Sequence, residues 1–373
     1  MSYQKKSRRY QSFQPVFFKI VNKRIFPSVF LLLACVPWFC VSCRKEPAKE
    51  TALPLVGARA PEWPSDLTWL NTPFPKTIAQ SNANATLLFF WSSTSINSLR
   101  AVKQVNLWHR KYSEFGLEMV GVHAPQFSFE KDSTVVQNSI SREVMLYPVV
   151  LDNDFKIWSA YRNRAWPAFY LIDQRGVIRD IFVGETEFEQ LELRIQDLLA
   201  EAGVAPPESL GTVPSEADFE QIGTPQILVG YDELSHFGSP EPVALDAVQT
   251  YSADSTLVFN HFYLVGDWEI QKEKILLRSN GGKLLLRFEA SRVYVVLGSL
   301  HNSRLRAEVR LDGEPLITDN YGKDIWFRDG RSYVEIDNRR MYELVDTRGI
   351  YGEYTLEISF LSADTEIFSL MFG

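Results

Sequence analysis

Leu87-Leu-Phe-Phe-Trp-Ser-Ser-Thr-Ser-Ile-Asn-Ser-Leu-Arg100 is the stretch on which the reading of this chain turns. Its first part completes a continuous apolar run, Thr86 to Trp91, which reads as a strand buried on both faces. Ile96, Leu99, Val102, Val105 and Trp108 then recur at helical spacing, the apolar stripe of an amphipathic helix. Ser95 stands just before that stripe, where its hydroxyl can accept a hydrogen bond from an unpaired backbone N–H of the first turn.

Working outward, strands and helices alternate. Leu117 to Val122 reads as a strand, Val135 to Val144 as a helix and Tyr147 to Leu151 as a strand. Phe155 to Tyr161 reads as a short helix and Ala168 to Ile172 as a strand. The turn Asp173-Gln-Arg-Gly176 leads into Val177 to Val183, and Glu187 to Ala202 closes with a helix. This order predicts an α/β layer fold with hairpin-linked strands near its end. Gly203 to Ser215 is rich in Pro, Gly and Ser and marks a break. After Gly223 only short strand-like runs follow, from Phe262 to Val265 through to Glu366 to Phe372. The turn signals Asn280-Gly-Gly282, Asp312-Gly313 and Asp329-Gly330 divide them, which predicts an antiparallel sandwich or jelly roll.

The chain has 373 residues, 45% of them hydrophobic and 13% aromatic, enough for a core in each of two or three domains. Seven basic residues and no acidic one fall within the first 43 positions. After Cys43, 32 basic residues face 46 acidic ones, a net charge of −14 that repels phosphate backbones and argues against nucleic acid as a partner. All three cysteines, Cys35, Cys40 and Cys43, lie in that first segment. From Arg44 onward there is no thiol for a disulfide, a zinc site or a nucleophile. The five histidines, His109, His123, His236, His261 and His301, show no ligand-like spacing, so no metal is expected, and with no Gly-rich phosphate loop no cofactor is expected either.

The N-terminus runs from a basic tail through an apolar stretch, Ile25 to Ser42, to Cys43. That order fits a secretory signal. Cys40-Val41-Ser42-Cys43 resembles a bacterial lipoprotein box, which implies lipidation of Cys43 and an extracytoplasmic body tied to the cell envelope, facing the periplasm or the cell surface. Alternatives are an uncleaved anchor or plain secretion, and Arg44 to Pro64 reads as a tether.

Four ordered segments carry a resemblance in the middle region: Leu87 to Arg100, Gly121-Val-His-Ala-Pro-Gln-Phe-Ser-Phe-Glu-Lys131, Tyr147-Pro-Val-Val-Leu-Asp-Asn-Asp154 and Trp166-Pro-Ala-Phe-Tyr-Leu-Ile-Asp173. Together they resemble extracytoplasmic thioredoxin-like domains of the TlpA and DipZ type. The resemblance places that family's Cys-x-x-Cys pair at Ser95 and Ser98 and its cis-proline at Pro167. It also implies a groove for a partner's backbone, with Trp91, Asn97, His123, Trp166 and Pro167 around it. A Cys-x-x-Cys at a helix start works because the helix N-terminus lowers a thiol pKa and the second thiol resolves the mixed disulfide. A serine hydroxyl does neither, so no thiol–disulfide chemistry is expected. Ser95 as nucleophile with His123 as base is an alternative, but no third group is marked to orient the imidazole.

The C-terminal region resembles the carbohydrate-binding-module-like sandwich that follows the thioredoxin-like domain in DipZ-type proteins. Carrying segments include Gly230-Tyr-Asp232, Leu264-Val-Gly-Asp-Trp268, Val309-Arg-Leu-Asp-Gly313, Arg340-Met-Tyr-Glu-Leu-Val345 and Phe368-Ser-Leu-Met-Phe-Gly373. Sugar modules stack pyranose faces on exposed rings, and aromatic residues also fill sandwich cores. Trp268 is expected in the core. Trp326, in Asp324-Ile-Trp-Phe-Arg-Asp329, is expected to be exposed between turns, with Asp324 and Tyr342 as further glycan contacts and Tyr294 and Tyr321 as other candidates.

The expected organisation is a signal segment over 1–43, a tether over 44–64, a thioredoxin-like domain over 65–203, a linker over 204–223 and a β-sandwich over 224–373. The expected function is binding or scaffolding of an envelope protein or glycan, without redox activity. The alternative is a thioredoxin-family enzyme with a non-thiol or partner-supplied activity.

Overall fold

The hydrophobic run at the centre of the sequence argument forms strand β2, Ala85–Trp91, buried along its whole length. The computed structural model describes residues 55–73, 78, 81–185, 187–208, 211–214 and 217–373. Cys43, the signal segment and the tether before residue 55 lie outside the described residues.

Around β2 the chain adds β1 (Thr68–Leu70), α1 (Ile96–Tyr112), β3 (Leu117–His123), α2 (Ser133–Arg142), β4 (Val149–Leu151), α3 (Lys156–Ala160), β5 (Ala168–Asp173), β6 (Ile178–Val183) and α4 (Phe188–Glu201). The six strands form one sheet in the order β1-β4-β3-β2-β5-β6. β2 runs parallel to β3 and antiparallel to β5, so the sheet is mixed, as the hairpin signal at Asp173–Gly176 implied. The alternating side chains of β2 feed two cores. Leu87, Phe89 and Trp91 pack with Val102, Val105 and Trp108 of α1 and Leu191 and Ile195 of α4. Leu88 and Phe90 pack on the other face with Trp63, Ile157 and Tyr161. Each fully buried side chain of this size contributes roughly 1.5–3 kcal/mol.

The C-terminal region is all strand: β7 (Ile227–Leu228), β8 (Val248–Tyr251), β9 (Phe262–Ile270), β10 (Ile275–Leu277), β11 (Lys283–Ala290), β12 (Arg292–Ser299), β13 (Leu305–Leu311), β14 (Glu314–Pro315), β15 (Ile325–Arg328), β16 (Arg331–Ile336), β17 (Arg340–Asp346), β18 (Gly352–Phe360) and β19 (Thr365–Phe372). They join in one sheet of 13 strands, ten along a continuous path and β7, β8 and β14 paired to its side. β9 makes the path continuous. Phe262 to Val265 pair with β11, and Trp268 to Ile270 pair with β10. Gly266 lies between these halves at φ 99°, a backbone angle that a side chain disfavours. Residues from both ends of the path, among them Val309, Ile358, Trp268, Val295 and Leu344, share one core.

Three expectations need correction. Residues 55–64 are not a tether: Gly57 N–H and Ala60 N–H bond to the carbonyls of Ile178 and Gly176, and Trp63 is buried against Trp69. An indole and paired backbone groups hold this segment to the sheet. The segment after α4 is also docked, since Val213 N–H donates to Gln104 at 2.7 Å and the Arg100 guanidinium lies over Phe219. The described residues from Leu55 onward accordingly form one compact unit. Finally, Ile325 to Arg328 is not a loop but strand β15, paired with β16.

Candidate functional site

The loop between β2 and α1 ends at Ser95, and Ser98 stands in the first turn of α1. Ser95 adopts extended backbone angles and its Oγ accepts from Ser98 N–H at 3.3 Å, the N-cap geometry. Ser98 is fully buried, and its Oγ accepts from Ser92 N–H at 3.3 Å. Both hydroxyls thus close the turn on itself. The Trp166–Pro167 peptide is cis. Pro167 is buried, and Trp166 packs on Trp158 with ring centroids 4.8 Å apart.

Behind this loop lies a group that the sequence argument missed. Glu130, in the short 3-10 turn after β3, is fully buried. It accepts from Ser92 Oγ, Ser93 Oγ and Thr94 Oγ1, each at 2.8 Å, and from Gln126 and Phe127 N–H at 2.9 Å. Burial works against its charge. The His123 imidazole 3.4 Å away and the hydrogen bonds from Ser93 and the Phe127 backbone outweigh that and hold its pKa below the ordinary 4.5. The signal available in the sequence was the run Ser92-Ser-Thr94 at the end of an apolar strand. Three hydroxyls there need a shared acceptor if the strand end is buried.

His123 is also fully buried, edge-on to Trp91 at 5.0 Å. Its Nε2 lies 3.4 Å from both Ser93 N–H and Glu130 Oε2, while Nδ1 has no partner among the described residues. Among the described residues no hydroxyl is hydrogen-bonded to the imidazole. Ser95 is not near-paired with His123, as the nucleophile alternative required; Ser93 donates to Glu130 instead. A carboxylate that accepts five donors and titrates low is a weak general base. The arrangement ties the Ser92–Thr94 loop to a buried carboxylate.

The expected groove is largely closed. Trp91 and His123 are fully buried and supply no groove surface, because both serve the core beneath the loop. The helix start itself is covered by the C-terminal region. Ile96, Phe127, Tyr294, Val296, Met341, Phe368 and Met371 form one apolar cluster. Ser95 and Asn97 do line a remaining cleft of about 410 Å³, shared with Phe219, Ile222, Gln226 and Met371.

The candidate glycan residues separate. Trp268 is fully buried against Phe360. Tyr342, expected as a glycan contact, is fully buried too: its phenol accepts from Asp337 and Asn338 N–H, clasping the β16–β17 turn. Trp326 is half-buried, stacked on Tyr333 at 5.1 Å with the Arg306 guanidinium 5.3 Å from its centroid. Its neighbour Phe327 is the exposed ring. Asp324 is committed to Arg340 and to Glu343 N–H, both at 2.8 Å. Tyr294 is buried at the inter-domain cluster, and Tyr321 is half-buried beside Phe327.

Among the described residues no group of His, Cys, Asp and Glu could hold a metal ion, and no helix is long and apolar enough to cross a membrane.

Residues 224–373 match the family described as "Thioredoxin like C-terminal domain". Protein DipZ of Mycobacterium tuberculosis is 31% identical over 243 residues, 64% of this chain and 35% of DipZ. The thiol-disulfide oxidoreductase YkuV of Bacillus subtilis is 28% identical over 141 residues, 38% of this chain and 94% of YkuV. A solved structure described as a thioredoxin-like protein in the oxidized form is 29% identical, covers 39% of this chain and 97% of its own, and has a TM-score of 0.36. The chain spans about a third of the length of DipZ. It carries a thioredoxin-like domain related to DipZ and to thiol-disulfide oxidoreductases such as YkuV, followed by a large β-rich region.

Proposed function

We propose that this chain is a redox-inactive relative of the thiol-disulfide oxidoreductases that acts by binding an envelope protein or a glycan. One observation carries the reading. Ser95 and Ser98, which we align with the family's redox cysteines, serve as backbone acceptors that close the helix start. No cysteine follows Cys43 to replace them. We further propose that Cys43 bears a lipid, that the body is extracytoplasmic, and that the β-rich region is a two-layer sandwich of carbohydrate-binding-module type. The cleft beside Asn97 and the exposed Phe327 are surfaces open to a partner.

An insulin-reduction assay of the purified full chain tests the central claim. Turnover should equal that of a blank without protein, and activity well above it would sink the reading. The relation to YkuV favours a second reading, an enzyme of the thiol-disulfide family acting through a partner's thiols. Turnover that appears only when membrane extract is added, and in proportion to this chain, would support that reading. Incorporation of labelled fatty acid into the wild type, lost in Cys43→Ala, tests the anchor.

A further inference from the structure

A second cleft, of about 240 Å³, opens between α2 and the turn before β17. Asn138, Ser139 and Arg142 line it on one side, and Asn338, Arg339 and Arg340 on the other. No aromatic ring lines it, so it offers no platform for stacking.

Its polar groups are unusually uncommitted. Ser139 is 3% exposed, yet its Oγ has no hydrogen-bond partner among the described residues. A buried hydroxyl left unmade in this way costs roughly 1–3 kcal/mol unless a ligand or water meets it. Arg142 is exposed and makes no hydrogen bond or ion pair with any described residue; Arg340 repels it, while Glu143, Asp324 and Tyr342 attract it from beyond contact distance. Arg339 gives only Nε to buried Glu366, at 2.6 Å, which leaves its two terminal nitrogens unused. Arg340 gives Nε to Asp337 and Nη1 to Asp324 and the Met341 carbonyl, and lies over the Tyr342 ring, which leaves Nη2. Those three carboxylates offset charge behind Arg339 and Arg340. Asp132 is the one acidic residue among the lining groups, and its Oδ1 already caps α2 by accepting from Thr134 N–H at 2.8 Å. Guanidinium N–H groups left unbonded match the planar oxygens of an anion. The volume is that of about eight waters at roughly 30 Å³ each.

We propose that this cleft binds a small molecule bearing an oxyanion, carboxylate or phosphate, on a polar body no larger than one sugar, with Arg142 as its main charge partner. Ser139 Oγ and the Asn138 and Asn338 amides meet the polar body. The cleft spans both domains, so a bound ligand also ties them together. The inference does not rest on the loss of thiols at Ser95 and Ser98.

Calorimetric titration of the full chain with glucuronate, glucose 6-phosphate and neutral glucose tests it. Glucuronate or glucose 6-phosphate should bind, and glucose should bind at least about tenfold more weakly. Arg142→Ala should lose about tenfold in affinity for the anion, and Arg142→Lys less, because charge survives without the fork. Ser139→Ala should weaken binding without lowering the melting temperature of the free protein, since the hydroxyl has no partner to lose. Which of the two anions binds tells carboxylate from phosphate. Failure of both to bind, equal binding of glucose, or unchanged affinity in Arg142→Ala with a normal melting curve overturns the proposal.

Discussion

Phe129, in the turn after β3, packs on Phe368 of the last strand with ring centroids 4.7 Å apart. With Phe127 also 5.3 Å from Phe368, an aromatic clasp holds the face that carries Ser95 against the β-rich region. The same turn holds Glu130, so the clasp and the buried polar cluster share one short segment.

Phe368→Ala should therefore loosen the two domains. Truncating a buried aromatic costs roughly 3–5 kcal/mol. Limited proteolysis should cut the 204–223 segment faster in the variant than in the wild type. Equal cutting rates would show that the clasp does not hold the domains together.

Glu130→Gln should destabilise the chain by roughly 3–5 kcal/mol, because three hydroxyls and two backbone N–H groups lose an ionised buried acceptor. The native carboxyl titrates below its ordinary 4.5. Its stabilisation is therefore fully present above that value and drains away as pH falls below it. Urea midpoints of the wild type should drop on acidification from pH ~5 to pH ~3, more steeply than those of Glu130→Gln. Parallel pH profiles would refute the role given to this group.

Restoring thiols should not by itself restore turnover. In Ser95→Cys/Ser98→Cys the second thiol replaces a fully buried hydroxyl, and the helix start stays under the apolar cluster. Adding Phe368→Ala should raise insulin reduction above that of the double variant. If the double variant alone is fully active, the cover is not a barrier.

Trp268→Ala should cost roughly 3–5 kcal/mol, as a fully buried core ring. Trp326→Ala should cost about 1 kcal/mol, since only its contacts with Tyr333 and Arg306 are lost. Chemical denaturation of both variants distinguishes them. A larger loss for Trp326 would mean that the edge strand β15 is part of the main core.

Much of the architecture could be read locally. The switch from an unbroken apolar run at Thr86–Trp91 to a helical stripe from Ile96 marks β2 and α1, because strand and helix place side chains at different periods. The short strands at Phe262–Val265 and Glu366–Phe372 stood out for the same reason. β15 did not. Turn-forming residues surround Ile325–Arg328, and its strand character comes from pairing with Arg331–Ile336.

The absence of any cysteine after Cys43 was decided by the sequence alone, since covalent composition does not depend on folding. So was the N-cap chemistry of Ser95, which acts within four residues. Only the tertiary structure decided what surrounds that cap. Glu130 reaches Ser92–Thr94 because β2 and β3 run parallel side by side, a pairing set by the whole sheet. Tyr342 is withdrawn from the surface by a turn that folds back on its phenol. Arg142 faces Arg339 and Arg340 because two domains pack together, and no local periodicity records which faces of two separately folded layers will meet.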